Sequence, residues 1–165
     1  MIIELGIPYT DPQADSATIQ LTNQVAIKGG TSELPTCLAM VKKARDIGLT
    51  VPVVLMGYYN PFLQYGIERL CKDTKEAGSD GFIVVDLPPE EGVELASSCT
   101  KHGLSNVPLI APTSTDQRIK YLSKSASTFL YCVSVTGVTG GSAGALPPNL
   151  KDYISRVRSK SGGHG

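Results

Sequence analysis

Short apolar segments alternate with helical patterns along almost the whole chain, and this alternation constrains the fold more than any other feature. The apolar segments are continuous runs, which is typical of strands that are buried on both faces of a parallel sheet. Apolar residues at helical spacing follow each run, so helices are expected to cover the sheet. The predicted strands span residues 2–7, 51–56, 81–85, 107–111 and 128–134.

The starts of several helices can be read from capping residues. Ser16 is predicted to cap the first helix, whose apolar face carries Leu21 and Val25 and which ends near two glycines. Ser32 is predicted to cap the second helix. Two further starts are predicted at Pro88-Pro89 and at the capping box Ser114-x-x-Gln117.

Two α/β architectures fit this order of strands and helices. One is a partial (β/α)8 TIM barrel with about five βα units, and the other is a five-stranded doubly wound parallel sheet. Polar residues of the kinds that occur in active sites follow several different strands. They are therefore expected to be spread around one end of the sheet. A doubly wound sheet would concentrate them at one switch point, so the pattern favours the barrel.

Composition excludes several classes of protein. The 165 residues are enough for one domain with its own core. Fifteen basic residues balance fifteen acidic ones, which indicates neither a nucleic-acid partner nor a membrane surface. No apolar run approaches the ~20 residues of a membrane-spanning helix, and the N-terminus lacks a signal-peptide pattern. A cytoplasmic location is therefore expected.

The cysteines and histidines give no metal or disulfide motif. The four cysteines lie far apart without a C-x-x-C pair, three on helical patterns and one in a strand, and they are predicted to be reduced and mostly buried. The two histidines are isolated, so no histidine metal site is expected. The cysteines are Cys37, Cys71, Cys99 and Cys132.

The most informative candidates for chemistry lie between residues 4 and 15. Glu4 falls inside a predicted strand, where a carboxylate is costly unless it faces a functional cavity or finds a hydrogen-bond partner. An apolar cavity would raise the pKa of Glu4 and suit it to acid–base work. Asp15 precedes Ser16 and is also typical of a helix cap, while Asp11 before a proline is typical of a turn.

Further candidates follow the later strands. Tyr131 lies in the fifth predicted strand and is either a core residue or a site tyrosine. Tyr58 and Asp86 are substrate-binding candidates at strand ends, although Asp86 can serve loop amides and Asn60 can cap a helix. The glycine-rich segment 134–144 is interpreted as a lid or a long surface loop, since it matches no nucleotide-binding motif.

Five segments together resemble the alpha subunit of tryptophan synthase, with variants similar to fungal sequences. They occur in the order of that family and cover nearly the whole chain. The segments are E-L-G-I-P-Y-T-D-P-Q-A-D-S-A-T-I-Q (4–20), M-G-Y-Y-N-P (56–61), V-V-D-L-P-P-E-E (84–91), I-A-P-T (110–113) and Y-C-V-S-V-T-G-V-T-G (131–140).

The resemblance implies a barrel enzyme that cleaves indole-3-glycerol phosphate to indole and glyceraldehyde 3-phosphate without a cofactor of its own. Glu4 matches the general acid–base residue, and Asp15 matches the carboxylate facing the indole N–H. Tyr131 matches a site tyrosine, and Thr139 lies in a mobile segment that contacts Asp15 on closure. Val135 departs from the family, which often has Arg there. The implied partner is a beta subunit or fused beta domain, to which pyridoxal phosphate (PLP) would belong.

The resemblance also implies a truncated domain. Residues 1–161 correspond to an incomplete barrel that starts at the second strand of the family and ends after its sixth helix, and residues 162–165 lie outside the resemblance. The phosphate-binding loops of the family have no counterpart. An open barrel is expected to be poorly stable or to self-associate.

Two alternatives to an active lyase remain open at this point. The first is a non-catalytic remnant that docks onto a beta subunit. The second is another aldolase-like barrel that forms a Schiff base with a strand lysine, which is disfavoured because none of the predicted strands contains lysine.

Overall fold

The structure is a computed structural model that describes residues 1–31, 33–88, 90–134 and 148–162. Strands and helices alternate along the described chain, as the sequence predicts. The strands are β1 (Ile3–Gly6), β2 (Val53–Gly57), β3 (Gly81–Val84), β4 (Ser105–Val107), β5 (Leu109–Ile110) and β6 (Tyr131–Cys132). The helices are α1 (Ala17–Lys28), α2 (Leu34–Asp46), α3 (Tyr59–Tyr65), α4 (Ile67–Ala77), α5 (Val93–His102), α6 (Asp116–Ser125) and α7 (Leu150–Lys160).

All of the strand pairs are parallel and follow the order of the chain. The larger sheet has the order β1-β2-β3-β4, and β5 pairs with β6. The predicted fourth strand is divided at Pro108, which has no N–H to donate, although its carbonyl still accepts from Tyr131 N at 3.0 Å. The described strands contain no reversal of order, so they form an arc of a barrel and the doubly wound alternative is wrong.

Two faces of the arc carry separate apolar clusters. On the inner face Val54, Ile83 and Val107 are buried, and Tyr131 packs against them. On the outer face the strands pack against α2, α4 and α5, with Leu55 and Phe82 fully buried. The register places Glu4 opposite Val54, so Glu4 belongs to the inner face. This alternation determines which side chains point into the barrel.

Helix α1 starts as predicted but does not bury its predicted face. The Ser16 hydroxyl is the N-cap and accepts from Ile19 N at 3.5 Å. Leu21 and Val25 are 61% and 63% exposed, and α1 contains no buried residue. The expectation of a core-facing stripe was therefore wrong, because helical spacing identifies an apolar face but not the surface that covers it.

Three other predicted helix starts are shifted. The N-cap of α2 is Glu33, and Ser32 lies outside the described residues. Helix α5 begins at Val93, because the carbonyl of Pro88 is used in a turn that receives the N–H groups of Glu91 and Gly92. This turn ends before the first hydrogen bond of α5 begins. Pro88 therefore lies before the helix and is not part of its first turn. Pro89 lies outside the described residues.

The capping residue of α6 is Thr115 and not Ser114. The Thr115 hydroxyl accepts from Arg118 N at 3.2 Å. The Ser114 hydroxyl accepts instead from Ala111 N at 3.1 Å, which holds the turn after β5. The predicted capping box was therefore displaced by one residue, because the serine is used in the preceding turn.

The four cysteines are free thiols, as predicted, and three of them are buried. No helix among the described residues is long and apolar enough to cross a membrane.

Candidate active site

The candidate site lies where the parallel strands end, because side chains that follow the strands meet at this edge. Glu4 projects from the inner face of β1, two residues before that strand ends at Gly6. The predicted apolar burial of Glu4 was wrong, since its side chain is exposed. The inner face of β1 is open to solvent in the described structure, while the outer residues Ile3 and Leu5 pack on the core.

Tyr131 is the partner of Glu4. Its side chain packs on the inner face of the arc, and the Glu4 carboxylate acts on its hydroxyl. Burial raises the pKa of Tyr131, and the charge of Glu4 raises it further. Tyr131 therefore remains neutral at physiological pH.

Asp15 and Tyr58 form a second pair of a carboxylate and a tyrosine. Tyr58 is 7% exposed, its hydroxyl oxygen accepts from Ala14 N at 2.9 Å, and the Asp15 carboxylate acts on the same hydroxyl. Burial raises the pKa of Tyr58, the Ala14 N–H lowers it, and the charges of Asp15 and Asp86 raise it. Asp15 is not the helix cap, since Ser16 occupies that position.

A cavity of about 260 Å³ adjoins this second pair. Its walls come from the ends of β1 and β2, from Val85 after β3, and from one side of α1 between Ile19 and Ala26. Apolar side chains form most of the surface, and the Asp15 carboxylate and the Tyr58 hydroxyl supply polar groups. A flat apolar ligand with one N–H donor has chemistry that suits this surface. Lining residues include Ile7, Asp15, Ile19, Met56, Tyr58 and Val85.

Asp86 lies after β3, as predicted, and serves a loop amide. Its Oδ1 atom accepts from Tyr59 N at 2.7 Å, which satisfies the first N–H of α3. Asn60 lies inside α3 and does not cap it, because the N-cap position is Tyr58. Asp86 therefore positions the start of α3, and its charge acts on the Tyr58 hydroxyl.

Thr139 and most of the glycine-rich segment 134–144 lie outside the described residues, as does Val135. The predicted contact between Asp15 and Thr139 stays a prediction.

The structure also identifies Tyr9 and Asn23, which the sequence interpretation missed. The Tyr9 ring lies 5.2 Å from the Tyr58 ring between centroids, and Tyr9 N donates to Asn23 Oδ1 at 3.0 Å. Both residues hold the loop that carries Asp15 against β2. The signal in the sequence was only the position of Tyr9 between the two carboxylates.

No group of three or more His, Cys, Asp or Glu side chains in the described ranges is placed to hold a metal ion.

An arc of sequential parallel strands, with carboxylates and tyrosines at the strand ends, defines an α/β barrel protein. The profile described as tryptophan synthase alpha chain matches residues 1–163, and the chain belongs to that family.

Curated relatives agree with this assignment. The chain is 51% identical over 157 residues to tryptophan synthase of Saccharomyces cerevisiae, a match that covers 95% of this chain and 22% of the yeast protein. It is 46% identical over 160 residues to the tryptophan synthase alpha chain of Roseiflexus sp., covering 97% of this chain and 60% of that one. The chain thus spans about three fifths of the length of the bacterial alpha chain.

Solved structures show the same fold. A tryptophan synthase complex from Pyrococcus furiosus matches 96% of this chain and 61% of its own chain, with 34% identity and a TM-score of 0.84. The α2β2 complex from the same organism matches with 36% identity and a TM-score of 0.86, covering 96% of this chain and 62% of that chain. The structural relatives confirm the barrel that the sequence pattern favours.

Proposed function

We propose that the chain carries the acid–base half of a lyase site that cleaves indole-3-glycerol phosphate in tryptophan biosynthesis. One observation carries the proposal: two carboxylates, one in β1 and one in the loop that follows it, each act on the hydroxyl of a tyrosine from another strand region. Glu4 is paired with Tyr131, and Asp15 is paired with Tyr58. Membership of the tryptophan synthase alpha chain family supports the choice of substrate.

The proposed chemistry is a retro-aldol cleavage. Glu4 transfers a proton to C3 of the indole, so that the ring accepts the electrons of the breaking carbon–carbon bond. The neighbouring glycerol hydroxyl loses its proton and becomes the aldehyde of glyceraldehyde 3-phosphate. Asp15 accepts a hydrogen bond from the indole N–H and stabilises the positive charge that develops there. The hydroxyl proton passes to the Glu4 carboxylate that the first step leaves, which restores the acid.

Tyr131 and Tyr58 are proposed to hold these two carboxylates in place. Tyr131 interacts with Glu4 and limits the orientations of the acid. Tyr58 holds Asp15 while accepting from the backbone of Ala14, so one hydroxyl fixes both the side chain and its loop. Asp86 acts indirectly: it accepts from Tyr59 N and so fixes the start of α3 next to Tyr58.

No cofactor of this chain takes part in the proposed reaction, and PLP would belong to a beta subunit. The proposed location is the cytoplasm. Residues 1–161 are proposed to form the barrel portion, with residues 162–165 as a tail.

The test measures release of indole from indole-3-glycerol phosphate with and without a tryptophan synthase beta subunit. Glu4→Gln and Asp15→Asn are expected to abolish release, while Asp11→Asn serves as the matched control. Asp11 lies in the same loop, is exposed and contacts only Gln13 through its side chain among the recorded hydrogen bonds. Equal rates for Glu4→Gln and the unmodified chain would remove Glu4 from the mechanism.

We further propose that the macromolecular partner is a beta subunit. The same partner is assumed in the alternative that the chain is a non-catalytic remnant that docks onto a beta subunit. The α2β2 assembly of the Pyrococcus furiosus relative supports this partner. In this chain Leu21 and Val25, four residues apart on α1, expose apolar surface. Leu21→Ser and Val25→Ser are expected to weaken co-elution with a beta subunit, whereas Ile47→Ser, at an exposed apolar position after α2, is the control. Unchanged co-elution for the α1 variants would reject this surface.

A further inference from the structure

Two buried thiols face each other between the most closely packed pair of helices. Cys71 on α4 and Cys99 on α5 have their Sγ atoms 4.0 Å apart, and the two residues are 0% and 1% exposed. Neither residue takes part in the proposed reaction. We propose that Cys71 and Cys99 are a redox modification site, which a peroxide converts to an intrachain disulfide. This inference does not depend on the proposed lyase function.

The helices hold the two sulfurs in direct contact, 4.0 Å apart. A disulfide needs an S–S distance of about 2.05 Å, so the two sulfurs must approach by roughly 2 Å on oxidation. Polar contacts at the same end of the helices hold them together: Ser98 Oγ donates to Glu68 Oε2 at 3.1 Å, and His102 Nε2 lies 3.0 Å from Glu68 Oε1. The pair is therefore positioned before oxidation.

A route for the oxidant leads to one member of the pair. A groove of about 530 Å³ lies between α5 and α6, and Cys99 forms part of its wall together with Ala96 and Thr100. Leu122 contributes from the opposite helix. The groove lies outside the strand arc, away from Glu4 and Asp15. A molecule as small as hydrogen peroxide can enter it without displacing either helix.

The chemistry balances with hydrogen peroxide as the oxidant. One thiolate attacks peroxide, the O–O bond breaks, and a sulfenic acid and hydroxide form. The second thiol then attacks the sulfenic sulfur, the S–S bond forms, and the oxygen leaves as water after taking up a proton. In total two thiols and one peroxide yield one disulfide and two waters, with two electrons passing from sulfur to oxygen.

Hydrogen bonding between the sulfurs assists the first step. The hydrogen bond from Cys99 lowers the pKa of Cys71 to about 7. The same hydrogen bond, together with burial and the charge of Cys71, raises the pKa of Cys99. One proton is thus shared between the two sulfurs, and the thiolate, which is the form that reacts with peroxide, falls on Cys71, next to the groove-lining Cys99.

The test treats the folded chain with hydrogen peroxide, alkylates the remaining thiols and maps disulfides by mass spectrometry without reduction. The expected result is one intrachain link between Cys71 and Cys99, reversed by dithiothreitol, with Cys37 and Cys132 alkylated. Cys37→Ala and Cys132→Ala keep the link, and Cys99→Ala loses it. Because the mapping works on the unmodified chain, it does not depend on whether Cys99→Ala folds.

The same treatment of the chain in concentrated urea is the control for structure. Unfolded chains are expected to give mixed pairings that include Cys37 and Cys132. The proposal is overturned if the folded chain leaves Cys71 and Cys99 unlinked, oxidises them to sulfinic acid without a link, or pairs either with another cysteine. It is also overturned if the unfolded chain forms the Cys71–Cys99 link as selectively as the folded one.

Discussion

The Glu4 carboxylate raises the pKa of the Tyr131 hydroxyl, although β6 and β1 are not neighbours in either sheet. Three strand positions separate them in the order of pairing, so a flat sheet would hold the two side chains far apart. The interaction requires the strands to curl until the inner faces of β1 and β6 approach each other. The curvature of the barrel therefore assembles this pair.

Replacing Glu4 by Gln is expected to lower the pKa of Tyr131. The Glu4 charge disfavours the tyrosinate anion, so its removal makes ionisation easier, while burial keeps the pKa above that of a free tyrosine. NMR titration of tyrosine Cζ resonances measures the shift, and Tyr131→Phe identifies the resonance. An unchanged pKa for Tyr131 in Glu4→Gln would show that the two groups do not interact in solution.

Replacing Tyr58 by Phe is expected to release the loop that carries Asp15. The change removes the hydroxyl that accepts from the Ala14 N–H and interacts with Asp15, and the lost hydrogen bond should cost about 0.5–1.5 kcal/mol. Hydrogen exchange of the Ala14 amide should become faster. Tyr59→Phe is the matched control, and equal exchange at Ala14 in both variants would contradict the positioning role of Tyr58.

Replacing Arg45 by Gln is expected to destabilise the fold at the end of the barrel opposite the candidate site. The Arg45 guanidinium donates to the carbonyls of Gly78, Leu49 and Val51 at 2.7–2.8 Å and to Asp80 Oδ2 at 2.8 Å. Losing these charge-assisted bonds should lower the free energy of unfolding by about 2–4 kcal/mol, measured by urea denaturation.

The control for Arg45 is Arg158→Gln, the same change at an exposed position of α7. It should alter the free energy of unfolding by no more than about 0.5 kcal/mol. Equal losses in the two variants would mean that the Arg45 contacts add nothing to stability.

Replacing Gly81 by Ala is expected to disrupt the pairing of β3 with β4. A Cβ atom at residue 81 would lie 2.2 Å from the carbonyl oxygen of Ser105, which belongs to the backbone and cannot rotate away. Overpacking of this kind should cost about 3 kcal/mol or more in the free energy of unfolding. Gly6→Ala in β1 meets no atom within 4 Å and should be tolerated. A stable Gly81→Ala variant with unchanged unfolding would refute this close approach.

Replacing Glu68 by Gln is expected to reduce the decrease in the free energy of unfolding that occurs as the pH falls. The hydrogen bond from Lys101, followed by that from His102, lowers the pKa of Glu68 from 4.5 to about 2. The pKa of Glu68 is lower in the folded state than in the unfolded state. Its contribution to folding stability is therefore present above pH 4.5 and is lost as the pH falls towards 2. Thermal unfolding across this range measures the effect.

Glu76→Gln on the same helix is the control for Glu68. Glu76 is exposed and its only recorded ion pair, to Lys72, is 4.0 Å long. Its substitution should leave the acid profile unchanged. If Glu68→Gln keeps the full pH dependence of the unmodified chain, the contacts of Glu68 with α5 do not contribute to it.

Local signals in the sequence were enough for much of the fold. Continuous apolar runs identified the strands, and Ser16 marked the start of α1 where the structure has it. The errors came from competition between nearby groups. Ser114 was used by a turn, so Thr115 became the cap, and Pro108 divided a strand whose apolar pattern was unbroken.

The sequence by itself determined which residues are present for chemistry and, through alternation, that they lie at strand ends. It indicated Glu4, Asp15, Tyr58, Asp86 and Tyr131 without showing how they are paired. Only the tertiary structure decided that Glu4 acts on the Tyr131 hydroxyl and Asp15 on the Tyr58 hydroxyl. It also decided that Cys71 faces Cys99. The reason is that these contacts depend on the curvature of the sheet and the packing of separate helices, which join residues distant in the chain and leave no local pattern.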